Sequence, residues 1–326
     1  MTGVRWGILG TGWVVENSFM PAIRELGPTH VVRAVASRTA AQARAFARQE
    51  GIQDAVEGYE SLLERPDIDV VYVALPNHVH EKWTIRALES GKHVLCEKPL
   101  GMDPASVERM IDAAGISNRY LWEAYAFLFR SQTAHLCTLV QNGAIGDLTK
   151  IDSTFFTTIA TVNYRWEASM GGGALYDLAV YPIRLADLWF QHAERASTVS
   201  TMRGTVDVES SGQVAYQRGR VLEFTVGLDH PYRTSATLWG TRGRIEVASP
   251  YHPQPTDLFT LFDNSVHPLQ AAQHTGTFQA MLAHIGDAIQ ERQAPQYLAD
   301  GSSRRVSSIL AMLRGHRVAR PESKHP

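Results

Sequence analysis

At 326 residues the chain is long enough for two domains with separate cores, and 44% apolar with 20% charged residues is an ordinary globular composition. Lys plus Arg is 31 against 33 for Asp plus Glu, a formal charge of −2 that gives no general pull toward nucleic acid or anionic membrane. Two cysteines, Cys96 and Cys137, are too few for a disulfide scaffold and suit no zinc module. The sequence holds no signal-peptide layout and no run of about 18 apolar residues, so a cytoplasmic protein is expected.

Val4–Leu9 predicts a buried strand, followed by Gly10-Thr11-Gly12 and a helix through about Leu26. Val31–Ala36 predicts a second strand, Thr39–Glu50 a helix, Val70–Leu75 a third strand, His80–Ser90 a helix and His93–Cys96 a fourth strand. Strands apolar on both faces, separated by helices, indicate a parallel sheet covered on both sides. The expected fold class is therefore α/β, with an N-terminal doubly wound Rossmann domain over residues 1–122. Beyond it, Leu148–Thr161, Gly219–Leu228 and Thr234–Val247 are β-rich with partial alternation. They predict an α+β domain over 123–326 with a large open, mostly antiparallel sheet, interrupted by helices near Ser131–Asn142 and Ala174–Gln191. Amphipathic helices near Phe278–Gln293 and Ser302–Leu313 close the chain, Pro250–Pro255 reads as a loop, and Pro321–Pro326 as a frayed tail. Phe155–Ile159 and Val221–Leu228 carry apolar residues at both parities, so a second subunit is expected to cover the sheet.

Gly10-Thr11-Gly12 directly after a strand is the context for binding a pyrophosphate: Gly10 permits the tight turn and Gly12 the close backbone approach. The third fingerprint position is Val15, which predicts slightly looser helix–strand packing. The second strand ends Ala36-Ser37-Arg38, with no carboxylate to take a ribose 2′-hydroxyl. A hydroxyl beside a guanidinium fork suits a 2′-phosphate, so NADP(H) is the expected cofactor.

Two further segments carry chemistry. One strand ends in Glu97-Lys98-Pro99, and strand ends face the ligand crevice in a doubly wound sheet. Lysine is scarce in this chain, at positions 82, 92, 98, 150 and 324 only, which draws attention to Lys98. The other segment, Gly171-Gly172-Gly173, opens a helix with Asp177 and Tyr181 at i and i+4. A carboxylate among apolar neighbours needs a cationic partner, for which Lys98 is the candidate.

Together and in order, Gly7–Gly12, Ala36–Arg38, Pro76-Asn77-His78-Val79-His80, Glu97-Lys98-Pro99 and Gly171–Tyr181 resemble the glucose–fructose oxidoreductase/inositol dehydrogenase (Gfo/Idh/MocA) family. The resemblance implies a cofactor site from Gly10, Thr11, Gly12, Trp13, Val14, Ser37, Arg38, Leu75, Pro76, Asn77, His80, Glu97 and Lys98. It also implies Lys98 near the reacting oxygen, with Asp177 and Tyr181 completing the catalytic set. Tyr181 stands where many members have His, a form similar to the branch of dihydrodiol and xylose dehydrogenases and sugar 3-ketoreductases; Ala179 stands where Gly is usual. The implied activity is hydride transfer between NADP(H) and a sugar-like keto or hydroxyl carbon, foremost in a ketosugar, with a nucleotide-linked 3-keto sugar as one form. The alternatives are a sugar or trans-dihydrodiol dehydrogenase running oxidatively, and a non-catalytic dinucleotide-binding regulator. A homodimer or homotetramer through the open sheet is expected, with no nucleic-acid or membrane partner.

Tyr164-Arg165-Trp166, Tyr125, Phe129 and His230 are candidates for the substrate cleft, against the competing reading of core packing or loop anchoring. His78 and His80 lack an evident third ligand, so no metal is expected. Cys96 has no adjacent base and reads as a small core residue.

Overall fold

Strand β1 (Val4–Leu9) lies between β2 (His30–Ser37) and β4 (Val70–Val73), which explains why these runs are apolar at both parities. β3 (Asp54–Glu57), β5 (His93–Cys96) and β6 (Leu121–Glu123) complete a six-stranded parallel sheet in the order β3-β2-β1-β4-β5-β6. The computed structural model describes residues 3–160, 162–252, 258–262, 266–270 and 276–322 of the chain. It divides into one unit of Met1–Phe129 with Thr275–Asp300 and another of Arg130–His274 with Gly301–Pro326.

In the first unit, crossover helices include α1 (Met20–Leu26), α2 (Ala40–Glu50), α3 (Glu60–Leu63), α4 (His80–Glu89) and α5 (Pro104–Ser117). Each face of the sheet builds its own core. Trp6, Ile8, Phe19, Tyr72, Leu95 and Trp122 pack on one side. Leu9, Ala36, Val71, Val73, Val94 and Met110 pack on the other. The Thr277–Ile289 helix joins the first of these cores although it lies late in the chain. Met281, Leu282 and Ile285 are fully buried there, and each such burial contributes roughly 1.5–3 kcal/mol. Three side chains on one helix face thus tie 275–300 to the first unit rather than to residues 130–274 before it.

The second unit is built on a nine-stranded mixed sheet ordered β14-β13-β12-β11-β7-β10-β9-β8-β15. The strands are β7 (Leu148–Thr158), β8 (Ala193–Arg203), β9 (Val206–Tyr216), β10 (Arg220–Gly227), β11 (Asp229–Gly240), β12 (Arg244–Val247), β13 (Leu258–Phe262), β14 (Val266–Gln270) and β15 (Arg317–Pro321). The stretch Thr234–Val247 is two strands, because the chain reverses at Thr241-Arg242-Gly243. Helices α6 (Ser131–Gln141) and α7 (Val180–Ala186) belong to this unit, and α7 packs with the Gly301–Gly315 helix.

The open face of this sheet is mixed: Phe156 and Val221, the apolar residues expected at the second parity, stand there among Lys150, Asp152 and Glu223. The pleat sends Ile151, Ser153 and Phe155 to the covered face and leaves Lys150, Asp152, Thr154 and Phe156 half-buried on the other. Leu222, Phe224 and Val226 alternate in the same way with Val221, Glu223 and Thr225. Lys150 forms ion pairs across the open face with Asp152 (2.8 Å) and Glu223 (2.7 Å). Of the loop at Pro250–Pro255, residues 253–255 lie outside the described residues, as do 323–326 of the tail. Pro321 closes β15 and Glu322 pairs with Arg203 at 2.6 Å, so the chain is tied down to that point.

Candidate active site

In the first unit, β1, β4 and β5 are parallel neighbours, so the segments that follow them leave the same edge of the sheet. Gly10 after β1 has φ +105°, and a Cβ there would run into the Ala74 carbonyl. Its N–H donates to Ala36 O at 2.9 Å, which closes the turn. Gly12 is exposed with open space above it, Thr11 and Val14 are half-buried, and the Trp13 ring is 74% exposed. The helix then opens as a wide π turn, Val15–Phe19, in which Val15 is completely buried. The larger residue at the third fingerprint position is accommodated by a wider turn. A cradle that excludes a Cβ at Gly10 and leaves Gly12 open fits a pyrophosphate.

At the end of β2, Ser37 is buried and donates its hydroxyl to Gln42 Oε1 at 3.0 Å. Arg38 is exposed and has no ion-pair partner among the described residues. A solvated guanidinium with no carboxylate paired to it among the described residues fits a ribose phosphate, whereas the Ser37 hydroxyl is already bonded to Gln42.

The segment after β5 is held from several sides. Tyr72, in the core, donates its hydroxyl to Glu97 Oε1 at 2.6 Å. The Lys98 N–H donates to Glu97 Oε2 at 3.3 Å, and the Lys98 side chain is buried. Leu100 N–H donates to Glu123 Oε1 at 2.9 Å, so a second buried carboxylate anchors the chain beyond the cis Lys98–Pro99 peptide. His80, completely buried, lies with Nδ1 2.9 Å from Pro99 O and Nε2 2.7 Å from Leu75 O. It thereby bridges the ends of β4 and β5, where Leu75 and Asn77 are also buried and Pro76 half-buried. His78 is exposed, whereas His80 is buried. Burial pushes the Cys96 thiol pKa up, which leaves it a core residue.

In the second unit, the Gly171–Gly173 turn closes against the loop before it: Gly172 N–H donates to Glu167 O and Gly173 N–H to Arg165 O, both at 3.0 Å. The helix that follows begins with a π turn, Leu175–Ala179, and continues as α7. Asp177 is buried in the π turn, and Arg165 Nε stands 2.8 Å from its Oδ2. Arg165, expected either to line the cleft or to anchor its loop, is within this unit a cation that Asp177 takes. Its guanidinium also lies over the Tyr164 ring at 4.8 Å, and Trp166 Nε1 donates to Ala160 O at 2.9 Å. The Tyr181 ring sits among Phe155 (5.1 Å), Tyr251 (5.2 Å) and His252 (5.7 Å). Tyr251 is buried, its hydroxyl 2.6 Å from Ser153 Oγ, and Tyr232 reaches His252 Nδ1 at 3.3 Å.

Not every candidate joins these groups. His230 packs on Phe156 (4.6 Å) and pairs with Glu209 (2.7 Å), whereas Tyr181 packs on Phe155. Adjacent strand residues face opposite ways, so His230 lies on the other face of the sheet from Tyr181. Tyr125 is fully buried in the first unit, and Phe129 packs on His284 (5.2 Å) and Tyr297 (5.1 Å) there. Tyr232, Tyr251, His252, Tyr72 and Glu123 join these groups from outside the sequence motifs. A tyrosine followed by histidine in a proline-rich loop was the only local signal for Tyr251 and His252.

A parallel sheet ordered this way binds a dinucleotide at the carboxyl ends of its central strands. With a buried lysine at that edge, the architecture is that of a nicotinamide-dependent oxidoreductase. Residues 4–125 match the model of an oxidoreductase family with an NAD-binding Rossmann fold, and residues 133–246 match the family's C-terminal domain. The chain belongs to the GFO/IDH/MocA oxidoreductase family. It is 38% identical over 254 residues to a dTDP-3,4-didehydro-2,6-dideoxy-alpha-D-glucose 3-reductase of Saccharopolyspora spinosa, covering 77% of this chain and 76% of the relative. It is 34% identical over 291 residues to a trans-1,2-dihydrobenzene-1,2-diol dehydrogenase of Xenopus laevis, covering 83% and 85%. Its fold is similar to the crystal structure of a 3-ketoreductase from Actinomadura kijaniata in complex with NADP and TDP-benzene. That likeness has a TM-score of 0.88 and 28% identity, over 98% of this chain and 100% of the other.

Proposed function

We propose that this oxidoreductase uses NADP(H) and reduces the keto group of a ketosugar, with nucleotide-linked 3-keto sugars as the leading substrate class. The observation that carries the reading is Lys98, a buried ammonium at the sheet edge where Gly10, Leu75 and Glu97 also emerge. Its 3-ketoreductase relatives support the substrate class. When bound, the nicotinamide supplies the hydride. Negative charge then grows on the substrate oxygen, which needs a fixed cation and a proton. Lys98 provides the cation, and the tethers from Tyr72, Glu123 and His80 hold its segment in place. The second unit contributes the Tyr181 hydroxyl as proton donor or hydroxyl ligand, and Asp177, fixed by Arg165, as an acceptor for sugar hydroxyls. Gly10–Trp13, Leu75–Asn77 and Glu97 would hold the cofactor, with Arg38 at its 2′-phosphate and Ser37, its hydroxyl bonded to Gln42, shaping the turn beneath it.

The aromatic wall of Phe155, Tyr251 and His252 around Tyr181 favours one second reading, oxidation of a cyclic trans-diol, whose apolar ring face an aromatic wall receives well. Following NADPH oxidation with dTDP-ketosugars, free ketosugars and aliphatic ketones, and NADP reduction with polyols and trans-dihydrodiols, tests both. Ketosugars should turn over best, and Tyr181→Phe should lower kcat more than it raises KM. Dihydrodiols outrunning every sugar would establish the second reading; turnover of none would leave a dinucleotide-binding regulator.

The protein also assembles, on this reading, as a homodimer or homotetramer through the open sheet. Val199 (36% exposed), Trp239 (38%) and Val318 (57%) stand on that face among half-buried charges. A monomer by light scattering at micromolar concentration would refute it. Among the described residues no helix is long and apolar enough to cross a membrane.

A further inference from the structure

Asp207 lies on β9, outside every motif read from the sequence, yet its carboxylate meets the start of the segment that carries Asp177 and Tyr181. Its Oδ2 accepts the backbone N–H of Leu175 at 2.7 Å. Leu175 opens the π turn, where N–H groups lack partners within the helix. The Ser210 hydroxyl donates to the same oxygen at 3.3 Å, and Arg317 Nη1 stands 3.6 Å from Oδ1. The carboxylate also presses on Gly173, which has φ +107° and where a Cβ would run into Oδ1. One side chain therefore fixes both the glycine turn and the first residue of the helix. Burial pushes the Asp207 carboxyl upward in pKa, while the Leu175 N–H and Arg317 favour its charged form. A buried carboxylate costs stability unless such partners meet it, so the fold retains a charge at a place where an apolar residue would pack more simply.

We propose that Asp207 is a positioning residue for the reaction: it sets where the helix begins, and so where Asp177, two residues on, and Tyr181, six residues on, present their polar groups. The proposal rests on the reading that those two residues serve the substrate. It does not require Asp207 to touch substrate or cofactor. A shift of the first turn moves both side chains together, and misplacement of a reacting group by about 1 Å can cost on the order of 100-fold in rate.

The test compares Asp207→Ala with Asp207→Asn in the full chain, measuring kcat and KM for the best ketosugar well below the melting temperature, with NADPH affinity by fluorescence. Asp207→Ala should lower kcat by about 10- to 100-fold while NADPH affinity, set in the first unit, stays within about twofold. Asp207→Asn keeps an acceptor oxygen at the same reach and should retain most of the kcat. A merely structural cap would lower melting temperature and leave the kcat of folded protein intact, and that result for Asp207→Ala overturns the proposal. Should Asp207→Ala not fold, Asp207→Ser replaces it: its hydroxyl falls short of Leu175, so it must lose kcat where Asp207→Asn keeps it, and equal kcat in the two refutes the idea. If Tyr181→Phe lowers kcat while Asp207→Ala does not, the positioning role alone fails. If Tyr181→Phe is silent, the underlying reading fails first.

Discussion

Tyr72 donates its hydroxyl to Glu97 at 2.6 Å, so a side chain packed in the Rossmann core aims a carboxylate at the ligand edge of the sheet. The ring is itself held by Phe19, stacked at 4.7 Å, which packs edge-on against Trp6 at 5.2 Å. Tyr72→Phe keeps that packing and removes one hydrogen bond to a charged group, typically about 1.5–3 kcal/mol. We expect NADPH affinity to fall by about 10-fold or more on the same grounds, with the fold intact by circular dichroism. Unchanged affinity would show that Glu97 is not held for the cofactor by Tyr72.

Arg38 is exposed and without an acidic partner among the described residues, so its removal should cost the protein little stability. Arg38→Ala should weaken NADPH binding by about 10- to 100-fold and leave NADH nearly unchanged, since only the phosphate uses the guanidinium. Titration of both cofactors against wild type and variant checks this; equal losses would reject the 2′-phosphate assignment.

Lys98→Met removes the buried ammonium and keeps most of the stem. Turnover should fall by about 10²–10⁴, the usual loss for one acid–base or charge-stabilising group. NADPH should still bind, because the glycine turn and Arg38 remain. Near-normal turnover with normal binding would exclude the role.

Stability should fall as the solution is acidified. Burial holds His30 at a pKa of about 4, and its Nδ1 accepts from Trp6 Nε1 at 3.0 Å; burial likewise holds His93 at about 4. In unfolded chain both titrate near 6.5, so between about 6.5 and 4 the unfolded state binds more protons and is favoured as pH drops. Each histidine contributes a slope of at most about 1.4 kcal/mol per pH unit in that window, and none above it. Urea midpoints from pH 7.5 to 5 should therefore decline, less steeply in His93→Gln. A flat profile would contradict buried neutral rings.

Four of the six Rossmann strands were legible because burial on both faces leaves little room for polar residues, as in Val70–Val73, whereas β3, Asp54–Glu57, has charged ends and no fully buried residue. The glycine turns were legible because Gly10 and Gly173 sit at positive φ against neighbouring atoms. By contrast β8 and β9 were not, since a strand with one polar face reads Ala-Glu-Arg-Ala-Ser-Thr, hardly distinct from loop. β6 spans three residues and is defined by its neighbour β5 rather than by its own pattern. Arg165 as the cation for Asp177, twelve positions away, depends on how the glycine turn folds back, which no local spacing encodes. The allegiance of Thr277–Ile289 was invisible for a related reason: its amphipathic pattern says that it packs, not on what.

That late helix also orders events during synthesis. Trp6, Phe19 and Tyr72 leave the ribosome early, but Met281, Leu282 and Ile285, which complete their core, follow only after the whole of residues 130–274 has been made. The Rossmann sheet must wait, partly uncovered, while the second unit is translated. A nascent chain halted after Phe129 should accordingly be protease-sensitive and bound by chaperones, and should become resistant once residue 300 has emerged.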